Sequence, residues 1–100
     1  MSMLDVLGST PRLRIVRELT DEPRYVSELA DLVDLDGKTT VHHLSVLEEA
    51  GVIESYWVGR RKYFRLTCRI ELTVSPSPER TFVLSTSELS QQEPIPRESE

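Results

Sequence analysis

One hundred residues, 38% of them hydrophobic, make one small domain with a thin core, for which an oligomer interface is a welcome second source of burial. No run is apolar enough to cross a bilayer, and the opening "MSMLDVLGSTPRLRIV" lacks the basic start and long apolar stretch of an export signal, so the expected location is cytoplasmic with no membrane partner. A single cysteine, Cys68, excludes an internal disulfide and every multi-cysteine zinc pattern, while the formal net charge of −5 argues against a uniformly basic, polyanion-coating protein.

The first predicted helix starts in "STPRLRIVREL", with Thr10 as its cap and Pro11 at the first helical position, where a missing N–H costs nothing. Leu13, Val16 and Leu19 fall on one side of it, and "DEP" at 21–23 ends it. After a short extended piece at Tyr25-Val26, Ser27 is expected to cap "SELADLV", whose apolar face is Leu29, Leu32 and Val33. A turn over 34–37 leads into a third helix, capped by Asp36 and running to about Ala50. Val41, Leu44 and Leu47, joined by Thr40, point to its apolar side, and Gly51 is the left-handed stop.

Two β-prone runs follow, "VIESYWV" and "KYFRLT", separated by "GRR" with Gly59 taking the positive φ of a hairpin turn. Tyr56, Trp57, Tyr63 and Phe64 are expected as core and sheet residues on these strands. "RIELTV", which alternates Ile70, Leu72 and Val74 with polar residues, and "TFVLS" add two strands around the turn "SPSPER". The polar, acidic remainder is expected to be disordered. The fold class is α+β: a winged helix–turn–helix over 1–68, a strand extension over 69–85 that is a candidate dimerisation element, and an acidic tail over 86–100.

Charge along the chain changes the meaning of the total. Residues 1–37 carry four Arg against eight acids, and residues 71–100 two Arg against six Glu. Between them, Lys38, Arg60, Arg61, Lys62, Arg65 and Arg69 face only Glu48, Glu49 and Glu54. That local positive field is what a polyanion meets. Three cations at a hairpin tip, with Arg65 further along a strand, suit a wing that grips phosphates or enters a minor groove.

The adjacent His42 and His43 point about 100° apart on a helix and cannot chelate one ion together. With the buried face centred on Leu44, residues Lys38, Thr39, His42 and Ser45 project outward from the second helix of the pair, the one that enters a major groove. Thr40 is counted with them as a DNA contact as well as on the apolar side. His43 lies at the edge and is either a satisfied boundary residue or a DNA contact. No metal site, cofactor site or catalytic constellation is expected: Cys68 has no His partner, and no phosphate loop or carboxylate pair is present. Cys68 itself reads as a small strand residue and not a redox switch.

Residues 7–67, through "LGSTPRLRIVREL", "VSELADLV", "TTVHHLSVLEEAGVI" and "GRRKYFRL", resemble the ArsR-like winged-helix transcription regulators, especially their small archaeal members. The resemblance implies a sequence-specific regulator of double-stranded DNA, most often a repressor, acting as a homodimer whose recognition helices occupy major grooves about 34 Å apart. Metal-sensing members carry a Cys-x-Cys segment in the helix that here reads "SELADLV", so metal sensing is not implied. Where many members end in a dimerising helix, residues 69–84 look like strands. Residues 3–19 and these strands are the expected interface, with Val74, Phe82 and Leu84 lending apolar contact there or within one subunit. Ten Arg against two Lys, no Asn and many acids hint at a salt-adapted, haloarchaeal source. The competing function is a winged-helix protein-interaction module without DNA binding, its extra strands pairing with a partner's sheet edge.

Overall fold

The computed structural model describes residues 2–89. The chain divides after Thr67 into two units. The first opens with a short helix, α1 (Met3–Leu7), held by a reciprocal cap: Asp5 N–H donates to Ser2 Oγ at 3.1 Å and Ser2 N–H to the Asp5 carboxylate at 3.3 Å. Five residues are too few to show a helical period, so the sequence pattern does not reveal it.

α2 (Thr10–Leu19) is capped by Ser9 and not by Thr10; the Ser9 hydroxyl accepts from Arg12 N–H. Its buried residues are Ile15 and Leu19, while Leu13, expected on the core side, is 51% exposed. A two-residue strand, β1 (Arg24–Tyr25), runs directly into α3 (Val26–Val33), which buries Leu29, Ala30 and Val33 and leaves Leu32 outside. This helix begins one residue before Ser27, with Tyr25 at its cap position and Glu28 accepting from Tyr25 N–H.

Asp34 turns the chain with φ 59° and Asp36 caps α4 (Gly37–Glu49). Gly51, at φ 79°, sends the chain back as strand β2 (Ile53–Val58), which pairs antiparallel with β3 (Arg61–Leu66). β1 adds to the other edge of β3, giving the order β1–β3–β2. Leu29, Leu44, Leu47, Val52 and Ile53 are almost fully enclosed between the helices and this sheet, each worth roughly 1.5–3 kcal/mol of apolar burial. Phe64 closes the sheet side, but Trp57, expected with it in the core, is 66% exposed because β2 runs out past the helices toward its turn.

One ion cluster pins β1 to its surroundings. The buried Arg24 guanidinium reaches Asp21 at 3.0 Å, Glu28 at 3.3 Å and Glu22 at 3.4 Å, and its Nε donates to the Glu18 carbonyl. The arrangement is a four-helix, three-strand winged helix–turn–helix of the α+β class.

The second unit is a two-stranded antiparallel ribbon, β4 (Cys68–Ser75) and β5 (Thr81–Glu88). Its register pairs Leu72 with Leu84 and Val74 with Phe82, which places these four on one face by strand alternation. Leu72, Val74 and Phe82 are each more than half exposed. β5 continues to Glu88, three residues into the segment expected as tail, because the pairing of Ile70 with Thr86 and Cys68 with Glu88 extends the ladder. The rest of that tail, 90–100, lies outside the described residues.

Candidate nucleic-acid interface

The helix–turn–helix is built by local hydrogen bonds at the turn. Leu35 N–H donates to the Ala30 carbonyl, ending α3, and the Asp36 carboxylate accepts from Thr39 N–H at 2.6 Å, starting α4. Those bonds from Thr39, the backbone one foremost, hold the Asp36 carboxyl below its ordinary range, so the cap stays ionised at neutral pH.

α4 then divides cleanly into two faces. Thr40, Leu44 and Leu47 are buried. Lys38, Val41, His42, Ser45 and Glu49 are exposed and follow the i, i+3, i+4, i+7, i+11 spacing of a single stripe, with Thr39 half-buried beside it. Two expectations are corrected here. Thr40 is not available to DNA: it is fully buried and its hydroxyl donates to the Asp36 carbonyl at 2.8 Å. Val41, expected in the core, is 46% exposed within the stripe, where a branched apolar group can meet a thymine methyl.

His43 sits at the boundary, half-buried. Its Nδ1 lies 3.1 Å from Arg12 Nη1, a contact between residues 31 positions apart. Arginine only donates, so Nδ1 accepts and the neutral ring carries its proton on Nε2. Arg12 also donates to the carbonyls of Val6 and Asp5, tying the end of α1 to the recognition helix. No local pattern in the sequence marks Arg12 for this role. Burial first, then the charge of Arg12 and the neighbouring His42, push the His43 pKa down.

The unfolded ring takes up its proton near the ordinary value of about 6.5, the folded ring only at lower pH. The contribution of His43 to stability is therefore complete above about pH 6.5 and declines as the pH falls below it. Between about pH 7 and pH 5.5 the melting temperature of the native protein drops more than that of a His43→Gln variant. Parallel declines in thermal melts of the two proteins overturn this assignment.

The wing is the β2–β3 hairpin. The register Val58↔Arg61 leaves Gly59-Arg60 as a two-residue loop, and the positive φ at Gly59 alone (61°) is the pattern of a type II′ turn, whose twist suits a hairpin. Arg60 and Arg61 are exposed and Lys62 is half-exposed at the tip. The Arg61 guanidinium lies 4.4 Å over the Tyr25 ring, which meets Tyr63 edge-on at 5.4 Å, and Tyr63 stacks on Tyr56 at 5.9 Å. Arg65 is not gathered with these cations: it is ion-paired with Glu54 and lies 5.2 Å over Tyr56. Both partners are about half exposed, so the pair contributes at most ~1 kcal/mol and yields readily to a stronger anion.

Among the described residues no three His, Cys, Asp or Glu side chains gather to hold a metal ion, and no helix is long and apolar enough to cross a membrane.

Residues 7–56 match a family of helix-turn-helix domains. Over 60 residues the chain is 35% identical to the cadmium resistance transcriptional regulatory protein CadC of Listeria innocua, covering 59% of this chain and 50% of that protein. It thus spans about half the length of the curated relatives it matches. Among solved structures, the transcriptional repressor BigR of Xylella fastidiosa is 30% identical with a TM-score of 0.61, covering 64% of this chain and 65% of BigR. The homodimeric winged helix-turn-helix DNA-binding domain Mb0332 of Mycobacterium bovis, a possible ArsR-family regulator, is 27% identical with a TM-score of 0.60, covering 62% and 57% of the two chains.

Proposed function

This chain belongs to the helix-turn-helix domain family, in its ArsR-like winged form, and from that premise we propose that it is a transcription regulator that binds double-stranded DNA as a homodimer. The observation that carries the reading is the pairing, in one unit, of an exposed polar stripe on the second helix of the helix–turn–helix with three cations at the wing tip. Lys38, Thr39, His42, His43 and Ser45 read or position the major groove, joined by Val41, and Arg60, Arg61 and Lys62 hold phosphates. Arg65 assists only after leaving Glu54. A dimer bound across a promoter blocks other proteins by occupancy, and BigR is described as a repressor.

Mb0332 is a homodimer, and the exposed apolar face of the β4–β5 ribbon supports residues 69–85 as a dimerisation element in this chain. A two-stranded ribbon is marginal alone in water and gains from a second apolar surface. CadC is named for cadmium resistance, but α3 carries no cysteine, so we assign no metal effector. DNA as the partner places the protein in the cytoplasm, and its Arg-rich, Asn-free, acidic composition fits a haloarchaeal source.

The test is a titration on the DNA upstream of its own gene and on random duplex, across a salt series reaching molar KCl. Site-selective binding with a negative salt slope is expected. Thr39→Ala and His42→Ala each narrow the gap between the two duplexes by about tenfold. Equal losses on both duplexes remove these residues from base readout. A folded dimer that binds neither duplex at any salt shifts the function to a protein-interaction module using the ribbon's strands.

A further inference from the structure

Trp57 is the only tryptophan in the chain, and it stands 66% exposed one residue before the last position of β2. Val58 beside it is 56% exposed. Large apolar groups held in water at the end of a projecting hairpin are unusual unless something covers them. By strand alternation Trp57 lies on the sheet face that carries Ile53 and Phe64, but nearer the turn, where it is left largely exposed.

Its surroundings identify the occupant by charge. Trp57 pairs in register with Lys62, and the loop that follows it is Gly59-Arg60. A cleft of about 360 Å³ opens here, walled by Trp57, Arg60, Arg61 and Lys62 and floored by Tyr25 and Ser27 at the start of α3. In a chain of net charge −5, an aromatic ring framed by three cations is complementary to a polyanion with flat apolar edges. A second copy of this chain is acidic too, but a duplex carries one negative charge per about 1.7 Å of its axis, a far denser anion than a protein surface of net charge −5.

We infer that Trp57 is a DNA contact: its indole lies against the deoxyribose edges of the bound duplex while Arg60, Arg61 and Lys62 hold the flanking phosphates in the same cleft. This rests on the DNA-binding reading and adds to it an apolar, salt-independent element that a wing of cations alone lacks. Apolar side chains at the grooves serve proteins that combine phosphate attraction with shape recognition. The contact matters most at high salt, where attraction to phosphates is screened.

The lone tryptophan reports on itself. The full-length protein is titrated with an end-labelled duplex of its own upstream DNA, following label anisotropy for binding and tryptophan emission with acrylamide quenching for burial of Trp57. Expected are a change in emission in step with anisotropy and at least a twofold fall in the acrylamide quenching constant. Trp57→Ala weakens binding by about tenfold with the salt slope unchanged, and Trp57→Phe recovers most of the loss. Circular dichroism of both variants matches the native protein, since the side chain is largely outside the core.

Binding by anisotropy with Trp57 still open to acrylamide and Trp57→Ala at native affinity overturns the inference and leaves the regulator reading intact. Quenching that depends on protein concentration and not on DNA assigns Trp57 to self-association and overturns it too. No anisotropy change at any salt overturns both readings together.

Discussion

With Arg60 and Arg61 both replaced by Ala, the protein binds specific and random duplexes alike more weakly, by a factor on the order of 10 to 100 at moderate salt. The plot of log affinity against log salt becomes shallower by about 1.8, because each phosphate contact contributes about 0.9 to the slope. The uniform loss follows from the geometry. Both side chains are exposed at a type II′ turn, and among the described residues the cationic side chains seen in ion pairs are Arg24 and Arg65. Arg61 is held by the Tyr25 ring, which orients it at little cost in charge. Arg65→Ala has a smaller effect, since its guanidinium already faces Glu54. Fluorescence-anisotropy titrations at four or more salt concentrations decide the matter. An unchanged slope in the double variant would show that the wing does not touch phosphates.

Replacing Leu44 with Ala destabilises the protein by about 3 kcal/mol, within the range for enclosed leucines that leave a cavity. Leu44 is 1% exposed on the inner side of α4, next to Thr40 and Leu47. For a domain of this size the total stability is only about 5–10 kcal/mol, so the change is a large share of it. The stripe one step around the same helix behaves oppositely: Val41→Ala changes stability by less than about 0.5 kcal/mol, because Val41 is already half in water. Urea unfolding of the two variants separates the faces of the recognition helix. A loss below about 1 kcal/mol for Leu44→Ala, or an equal loss for Val41→Ala, contradicts the arrangement of α4.

The contrast between Leu44 and Val41 marks where reasoning from sequence stops. Chemistry confined to a few neighbouring residues was readable along the chain. Asp36 was identifiable as the cap of α4, Gly51 and Gly59 as the positive-φ positions, and the 52–58 and 62–67 runs as a hairpin with a cationic tip, which forms over 53–58 and 61–66. Each depends on steric or hydrogen-bonding demands within about four residues. The local excess of positive charge was equally plain, since it needs no fold to be counted.

Which side of each helix is buried was not readable with the same certainty. Leu13, Leu32 and Val41 are as apolar as Ile15, Ala30 and Leu44, and on a helix carrying apolar residues on more than one side, the packing partner chooses the face. Thr40 could enter the core because its hydroxyl finds the Asp36 carbonyl, a bond that only the closed first turn of α4 supplies. Trp57 was assigned to the core by its strand and its size, and stands outside because the sheet outruns the helices. The link from Arg12 to His43 joins residues 31 apart, where no periodicity operates.

The sequence alone carries the Asp36 cap, the turns at Gly51 and Gly59 and where positive charge collects, because these follow from short-range sterics and composition, whereas the caps of α2 and α3 and the helix α1 are not legible in it. The tertiary structure alone decided which apolar side chains are enclosed, that Thr40 turns inward and Val41 outward on the recognition helix, and that a tryptophan and three cations share one cleft. Those outcomes depend on packing between distant segments, and each is settled by which surfaces exclude water together.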